Sequence, residues 1–291
     1  MLTRIISGAV GVVILAVVLI FHDTIVLPIA VAAMIAVMLY ELLRAVKMEK
    51  CLPVLIASEL CGIAMPFIYH EYENIDCGDV FDGGCPDCMA SFVNSDYLKL
   101  RMYPFMLILA AAFVIFITWL KKHKEIRYEQ VFFVLAATIL VPQAMSTMVR
   151  IDRRFGVFYL VLGLCGAWIA DTGAYFTGVA FGKHKLCPEI SPKKTIEGFI
   201  GGIVTTGIIF TAAIYIHSKT FVPGVFVVGG VCAIIGTVGD LSASMVKRQI
   251  GFKDYGKIMP GHGGLMDRFD SVLFVLPTFF AFIVLDNMAF Y

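Results

Sequence analysis

Nine stretches of this chain are apolar enough, and close enough to 20 residues long, to cross a lipid bilayer, and they recur from one end to the other. They run approximately over residues 5–21, 25–43, 52–69, 103–120, 131–148, 157–181, 199–216, 221–239 and 272–291. Lipid offers no partners to open backbone groups, so such stretches have to be helices. The expected fold is an all-α integral membrane protein, a polytopic bundle of about nine transmembrane helices. Composition agrees, because 15% charged residues are too few to cover a soluble domain of 291 residues. The third stretch is the weakest, carrying Pro53, Glu59 and Pro66. The first follows Arg4 as a signal peptide would. No small-residue cleavage site follows it, and His22-Asp23 leads straight into the next stretch, so it reads as a retained helix.

Orientation follows from the lysines and arginines. Of the 23, seventeen fall on the side holding the N-terminus, in groups around Arg4, Arg44–Lys50, Lys121–Arg127, Lys183–Lys194 and Lys247–Arg268. Six fall on the other side. Positive charge favours the cytoplasm, which puts the N-terminus inside and the C-terminus outside. The net charge of +1 gives no reason to expect nucleic acid; the partner implied is the bilayer itself.

Two connections differ from the rest. The outer one, residues 70–101, is acidic and glycine-rich and holds Cys77, Cys85 and Cys88. One disulfide with one thiol left over is the plain expectation in an oxidising compartment, and a zinc site would need a fourth ligand such as His70. No cysteine is expected to be catalytic. The inner connection, residues 240–271, is dense in charge, glycine and histidine. The chain thus divides into a transmembrane scaffold, residues 1–150, and a catalytic transmembrane region, residues 151–291.

Carboxylates inside a span cost about 2.5–3.5 kcal/mol at a helix centre. Asp171 sits in the cytoplasmic half of the sixth stretch, Asp240 closes the eighth, and Asp267 and Asp270 open the ninth from the same side. Any one of them reads as a capping or paired acid. Four converging on one face do not. Asp240, Ser244 and Lys247/Arg248 recur at helical spacing and share one face if the eighth helix continues. Such faces suit Mg²⁺, which takes one or two carboxylates plus substrate phosphates and water. Lys193, Lys194, Lys247, Arg248, Lys253, Lys257 and Arg268 suit phosphate oxygens. Gly261, Gly263 and Gly264, around His262, admit a ligand close to the backbone. Carboxylates, cations and glycines together point to phosphoryl or nucleotidyl transfer.

The stretch Ser244-Met-Val-Lys-Arg-Gln-Ile-Gly-Phe-Lys-Asp-Tyr-Gly-Lys-Ile-Met-Pro-Gly-His-Gly-Gly-Leu-Met-Asp-Arg-Phe-Asp270 closely resembles the signature of the phosphatidate cytidylyltransferases, or CDP-diacylglycerol synthases. Met259, where the family pattern usually has Leu, Ile or Phe, is a volume-conserving departure. The resemblance extends to Ala170-Asp-Thr-Gly-Ala-Tyr-Phe and Ser191-Pro-Lys-Lys-Thr-Ile-Glu-Gly198, covering most of residues 157–271 in blocks. It implies CTP and phosphatidate as substrates, Mg²⁺ with a possible K⁺ companion, and the cell membrane of a bacterium; the charge count faces the site to the cytoplasm. It also implies that Asp240 and Asp267 hold metal, with Asp270, a third metal ligand, and Asp171 close by. By the same resemblance Lys193, Lys194, Ser244, Lys247, Arg248, Lys253, Asp254, Lys257, Gly263, Gly264 and Arg268 line the substrates. His262 either positions a phosphate or plays a structural part.

The expected reaction is direct in-line transfer without a strong general base. A phosphate monoester is largely dianionic at neutral pH, its second pKa being about 6. Rival readings are a CTP-dependent enzyme acting on another lipid, a transporter, and a non-enzymatic scaffold. A transporter would show inverted repeats and acids near the midplane, and neither is visible. Gly198, Gly201 and Gly202 allow close helix packing, within the chain or between copies in a homodimer.

Overall fold

The computed structural model describes residues 2–74, 95–256, 258 and 263–285. Cys77, Cys85, Cys88, Lys257 and His262 therefore lie outside the described residues, and so do the expectations placed on them. Contacts group the chain into two units, Met1–Arg154 and Phe155–Tyr291.

The first unit holds α1 (Leu2–Ile20), α2 (Val26–Ala45), α3 (Leu52–Asn74), α4 (Ser95–Lys121) and α5 (Tyr128–Phe155). Leu43, Met48, Cys51, Val54, Ile115, Ile126, Val131 and Val134 pack into one buried cluster that joins α2 through α5. Gly62 lets α3 approach α2 closely, since a Cβ there would meet Leu39 Cδ1 at 2.6 Å. Polar bonds cross the same interfaces. Thr138 donates to Ser58 Oγ at 2.8 Å, and Tyr69 donates to Gln143 Oε1 at 2.7 Å.

The second unit holds α6 (Val157–Phe181), a hairpin of β1 (Lys185–Cys187) and β2 (Ser191–Thr195), α7 (Ile196–Ser218), α8 (Gly224–Ile250), a single turn α9 (Met266–Phe269) and α10 (Val272–Leu285). α7 packs between α6 and α8, and α10 packs on α8 and α6. Phe210, fully buried on α7, meets Phe279 of α10 edge-on at 5.4 Å between ring centres. The antiparallel hairpin, with Lys185 opposite Thr195, is a small departure from an all-α chain.

Among the described residues, eight segments are long and apolar enough to cross a membrane: α2 through α8, and α9 with α10 as Met266–Leu285. The described apolar part of α1, Gly8–Ile20, is shorter. This is a multi-pass helical membrane protein. The eighth span differs from the expectation at its end. The apolar window stops at residue 239, but α8 runs on to Ile250. Gly251, at φ 84, then terminates it. Its N–H donates to Arg248 O at 3.2 Å, and Phe252 N–H reaches back to Lys247 O at 2.9 Å. That is a glycine cap, which closes the helix on its own last carbonyls.

Candidate active site

Continuation of α8 decides the geometry. It carries Asp240, Ser244, Lys247 and Arg248 on one regular helix, as the spacing requires. Lys247 and Arg248 fall in its last turn, where the helix dipole favours cations.

Lys194 reaches this helix from the hairpin. Thr195 caps α7, its side chain accepting from Gly198 N–H at 3.1 Å. Glu197, in the first turn, accepts from the Lys183 and His184 amides at 3.0 and 3.2 Å and meets His184 Nδ1 at 2.7 Å. These contacts tie the start of α7 to the segment after α6, and β2 between them is held in place. Lys194 Nζ then lies 2.6 Å from Asp240 Oδ2, with both side chains about a quarter exposed. Asp171, exposed on α6, is in the electrostatic field of both Lys194 and Asp240.

The glycines between α6 and α7 are used inside this unit. A Cβ on Gly198 would meet Ala174 O at 2.6 Å, and one on Gly202 would meet Ala170 O at 2.8 Å. A Cβ on Gly201 would collide with Thr177. Close approach of these two helices sets α6, and with it Asp171, against α7.

Two turns further along α8, the signature segment folds around Asp267. Its Oδ1 accepts from Lys247 Nζ at 2.8 Å, and its Oδ2 accepts from the amides of Tyr255 at 2.8 Å and Gly264 at 3.0 Å. The Asp267 side chain is 4% exposed and that of Lys247 13%. Gly263 sits beside it at φ 87, where a Cβ would press on Asp267 Oδ2 at 3.0 Å. Tyr255, a signature residue given no role from sequence, is buried there. It donates its hydroxyl to Ala243 O at 3.2 Å and lies under Lys247 Nζ, 5.5 Å from the ring centre. Burial first, then the charges of Asp267 and Asp270, push the Tyr255 phenol above the ordinary tyrosine range. Its position inside the signature was the only sequence signal for it.

Asp270 is buried, its Oδ1 accepting from Ser271 N–H at 2.7 Å. Its carboxyl lies in the electrostatic field of both Asp240 and Lys247. Gly239 makes this meeting feasible, since a Cβ there would strike Phe274 Cδ2 at 2.6 Å and Asp270 O at 3.0 Å. Two carboxyl groups that repel one another favour a shared proton or a cation near them, and Lys194 already supplies one cation on Asp240. The donor set of hard oxygens fits a magnesium-type ion.

The three expected metal ligands are not gathered equally. Asp240 and Asp270 adjoin, whereas both oxygens of Asp267 are engaged by Lys247 and the signature amides. Among the described residues, the one group of three or more ligand-type side chains meeting within 4.8 Å lies elsewhere, at His22, Asp23 and Asp152. Lys193, Arg248, Lys253, Asp254 and Arg268 are exposed around the site, Ser244 is half-buried and Gly264 buried.

Comparison with known proteins matches residues 2–286 to the cytidylyltransferase family. Among curated relatives, the chain is 48% identical over 128 residues to a phosphatidate cytidylyltransferase of Staphylococcus aureus, covering 43% of this chain and 48% of that one. It is 43% identical over 126 residues to that of Staphylococcus saprophyticus, with the same coverage. With that of Bacillus subtilis it shares 36% identity over 162 residues, 54% of this chain and 60% of the other. The chain thus spans about half the length of the curated relatives it matches.

Proposed function

Because the chain belongs to the cytidylyltransferase family, we propose that it transfers the cytidylyl group of CTP to phosphatidate, releasing pyrophosphate and forming CDP-diacylglycerol for phospholipid synthesis. The observation that carries this reading is the pair of lysine–carboxylate contacts along the last third of α8, Lys194–Asp240 and Lys247–Asp267. Each sets a phosphate-binding cation directly on an acid, so both charges are ready to be redistributed when a polyanion arrives.

In the proposed reaction a phosphatidate oxygen attacks the α-phosphorus of CTP. A new P–O bond forms there, and the bond to the β-phosphate oxygen breaks. The dianionic attacking phosphate brings its own electron pair, so no side chain has to remove a proton. Lys194 and Lys247 exchange carboxylate for phosphate oxygens, and Lys193, Arg248, Lys253 and Arg268 extend the same cationic surface. Lys257 and His262 belong to this reading through the signature. Asp240 and Asp270 would hold Mg²⁺, with K⁺ as a second ion, and Asp267 would complete the set or orient it. Bound there, the metal neutralises charge on the α-phosphate and on the leaving pyrophosphate. Asp267 meanwhile holds the signature loop closed through its two amide bonds.

The second substrate enters from lipid. A cavity of about 360 Å³ on α6 and α7, lined by Trp168, Thr172, Phe176, Thr205 and Ile209, opens one residue along from Asp171 and suits an acyl chain. The positive-inside orientation read from this chain's lysines and arginines would put the site on the cytoplasmic face of the cell membrane, where CTP is available. A homodimer would use surfaces other than Gly198, Gly201 and Gly202, which α6 already covers.

Incubation of the purified protein with labelled CTP, phosphatidate and Mg²⁺, omitting each in turn, tests this reading. Labelled lipid should form only when all three are present. Pyrophosphate release with a prenyl phosphate and none with phosphatidate assigns the chain to another lipid, and no release with any acceptor removes the enzyme reading.

A further inference from the structure

A second set of ligand-type side chains meets in the first unit. The connection after α1 supplies His22 and Asp23, and the last turns of α5 supply Asp152. His22 Nδ1 lies 3.2 Å from Asp23 Oδ1 and 2.9 Å from Asp152 Oδ1. The Asp152 side chain is 1% exposed. Yet neither of its oxygens accepts a hydrogen bond, and the short approach from His22 Nδ1 lacks the alignment of one. A buried carboxylate left in that state is costly unless a cation meets it.

Arg153 is the obvious internal cation, but it is aimed elsewhere. Its Nη donates to the Asp23 carbonyl at 2.9 Å and approaches His70 Nε2 at 2.6 Å, while its Nε is buried without a partner. It therefore lends Asp152 charge but no hydrogen bond. Further along the same end, Glu73 holds Arg150 at 3.2 Å, and Arg150 lies 4.8 Å over the Tyr69 ring, so neighbouring acids and bases are matched without drawing on Asp152.

The spacing of the two carboxylate oxygens from His22 Nδ1 suits an ion, and the three ligand atoms lie within 4.8 Å of one another. Bonds of about 2.0–2.2 Å from a metal to nitrogen and oxygen put adjacent ligand atoms about 3.0 Å apart in octahedral and about 3.4 Å apart in tetrahedral arrangement. The separations of 2.9 and 3.2 Å match that range. One imidazole with two carboxylates selects a transition ion over Mg²⁺ or Ca²⁺, which take oxygen ligands. We propose that His22, Asp23 and Asp152 bind a divalent transition-metal ion of the zinc class, which pins the α1–α2 connection to the end of α5. The site is structural and does not depend on the transferase reading.

The test uses the full-length protein in detergent, stripped with a chelator, desalted and titrated with Zn²⁺. Bound metal is read by elemental mass spectrometry and stability by the unfolding midpoint. Asp23 is 84% exposed, so Asp23→Asn alters a ligand without disturbing packing; Asp152→Asn alters the buried one. The wild type should retain one more Zn²⁺ per chain than either variant. Its midpoint should rise with Zn²⁺ in a way the Asp23→Asn protein does not reproduce at tenfold higher metal. Loss of even an outer-shell partner weakens metal binding about 10–100-fold, so loss of a ligand should do at least as much. Co²⁺ in place of Zn²⁺ should show no thiolate charge-transfer band. Equal binding by wild type and variants, a thiolate band, or a wild type indifferent to Zn²⁺ overturns the proposal, the last leaving a His22–Asp152 ion pair in its place.

Discussion

Replacing Asp267 with asparagine keeps the size of the side chain and removes its charge. In the native site that charge has three partners: Lys247 Nζ at 2.8 Å and the amides of Tyr255 and Gly264 at 2.8 and 3.0 Å. An asparagine oxygen can keep the two amides, but it cannot neutralise Lys247. Hydrogen bonds to charged groups contribute about 1.5–3 kcal/mol each, and stranding one member of a buried pair costs about 3–5 kcal/mol. Lys247 retains 13% exposure and some access to water, which places the expected loss near the lower bound, about 3 kcal/mol. If the same contact organises the transition state, about 1.4 kcal/mol per decade makes the loss in kcat/KM a hundredfold or more. CTP-dependent pyrophosphate release with phosphatidate in mixed micelles reads the activity, and thermal unfolding in the same detergent reads the stability. Lys247→Met completes a double-mutant cycle. Removing both charges should restore part of the stability lost by removing one, with a coupling of about 1–3 kcal/mol. A fully active Asp267→Asn protein removes this residue from the mechanism, and strictly additive losses refute the pairing.

Lys194→Ala should raise the KM for CTP at least about tenfold, the effect of losing one charge-assisted contact, with an unchanged unfolding midpoint because the side chain is a quarter exposed; an unchanged KM argues against phosphate contact. Gly239→Ala drives a methyl into Phe274 and the Asp270 carbonyl. It should destabilise by about 1–3 kcal/mol and depress turnover, whereas Gly11→Ala, with nothing within 4 Å, should be neutral or slightly stabilising in the same thermal assay. The Tyr255 phenol, raised by burial and by Asp267 and Asp270, favours the folded state fully below the unfolded value of about 10. That contribution is lost as pH climbs from there towards the folded value. An absorbance titration of tyrosinate should show one late-ionising group that Tyr255→Phe abolishes, and its persistence in the variant assigns it to another residue.

Hydropathy made the membrane helices legible, because lipid leaves the backbone no alternative. It misplaced ends wherever polarity and hydrogen bonding part company. α8 continues for eleven residues past the apolar window because Asp240, Ser244, Lys247 and Arg248 are tolerable helix residues, and only Gly251 offers the left-handed turn that closes it. The hairpin was not foreseen, since three- and five-residue strands carry no periodicity and Ser191–Thr195 resembled plain loop.

The chemistry was legible as residue types and less so as partners. Sequence spacing put Asp240 and Lys247 on one helix, but nothing in the spacing says that Lys194 takes Asp240 while Lys247 takes Asp267. That choice depends on a capped helix start, a two-stranded turn and a tyrosine hydroxyl bonded to Ala243. The same limit hid the His22–Asp152 meeting, whose members stand 130 residues apart and carry no motif. The Lys247–Asp267 and His22–Asp152 pairings draw their strength from exclusion of water, and burial of a particular oxygen is a property of the folded interface. Where Asp267 is concerned, this changes the expectation itself. A ligand already engaged on both oxygens has to release Lys247 before it can take a metal, so nucleotide phosphate arriving at Lys247 and metal arriving at Asp267 should be coupled, each raising the affinity for the other. Mg²⁺ binding measured with and without CTP tests that coupling, and equal affinities in the two titrations would confine Asp267 to holding the loop.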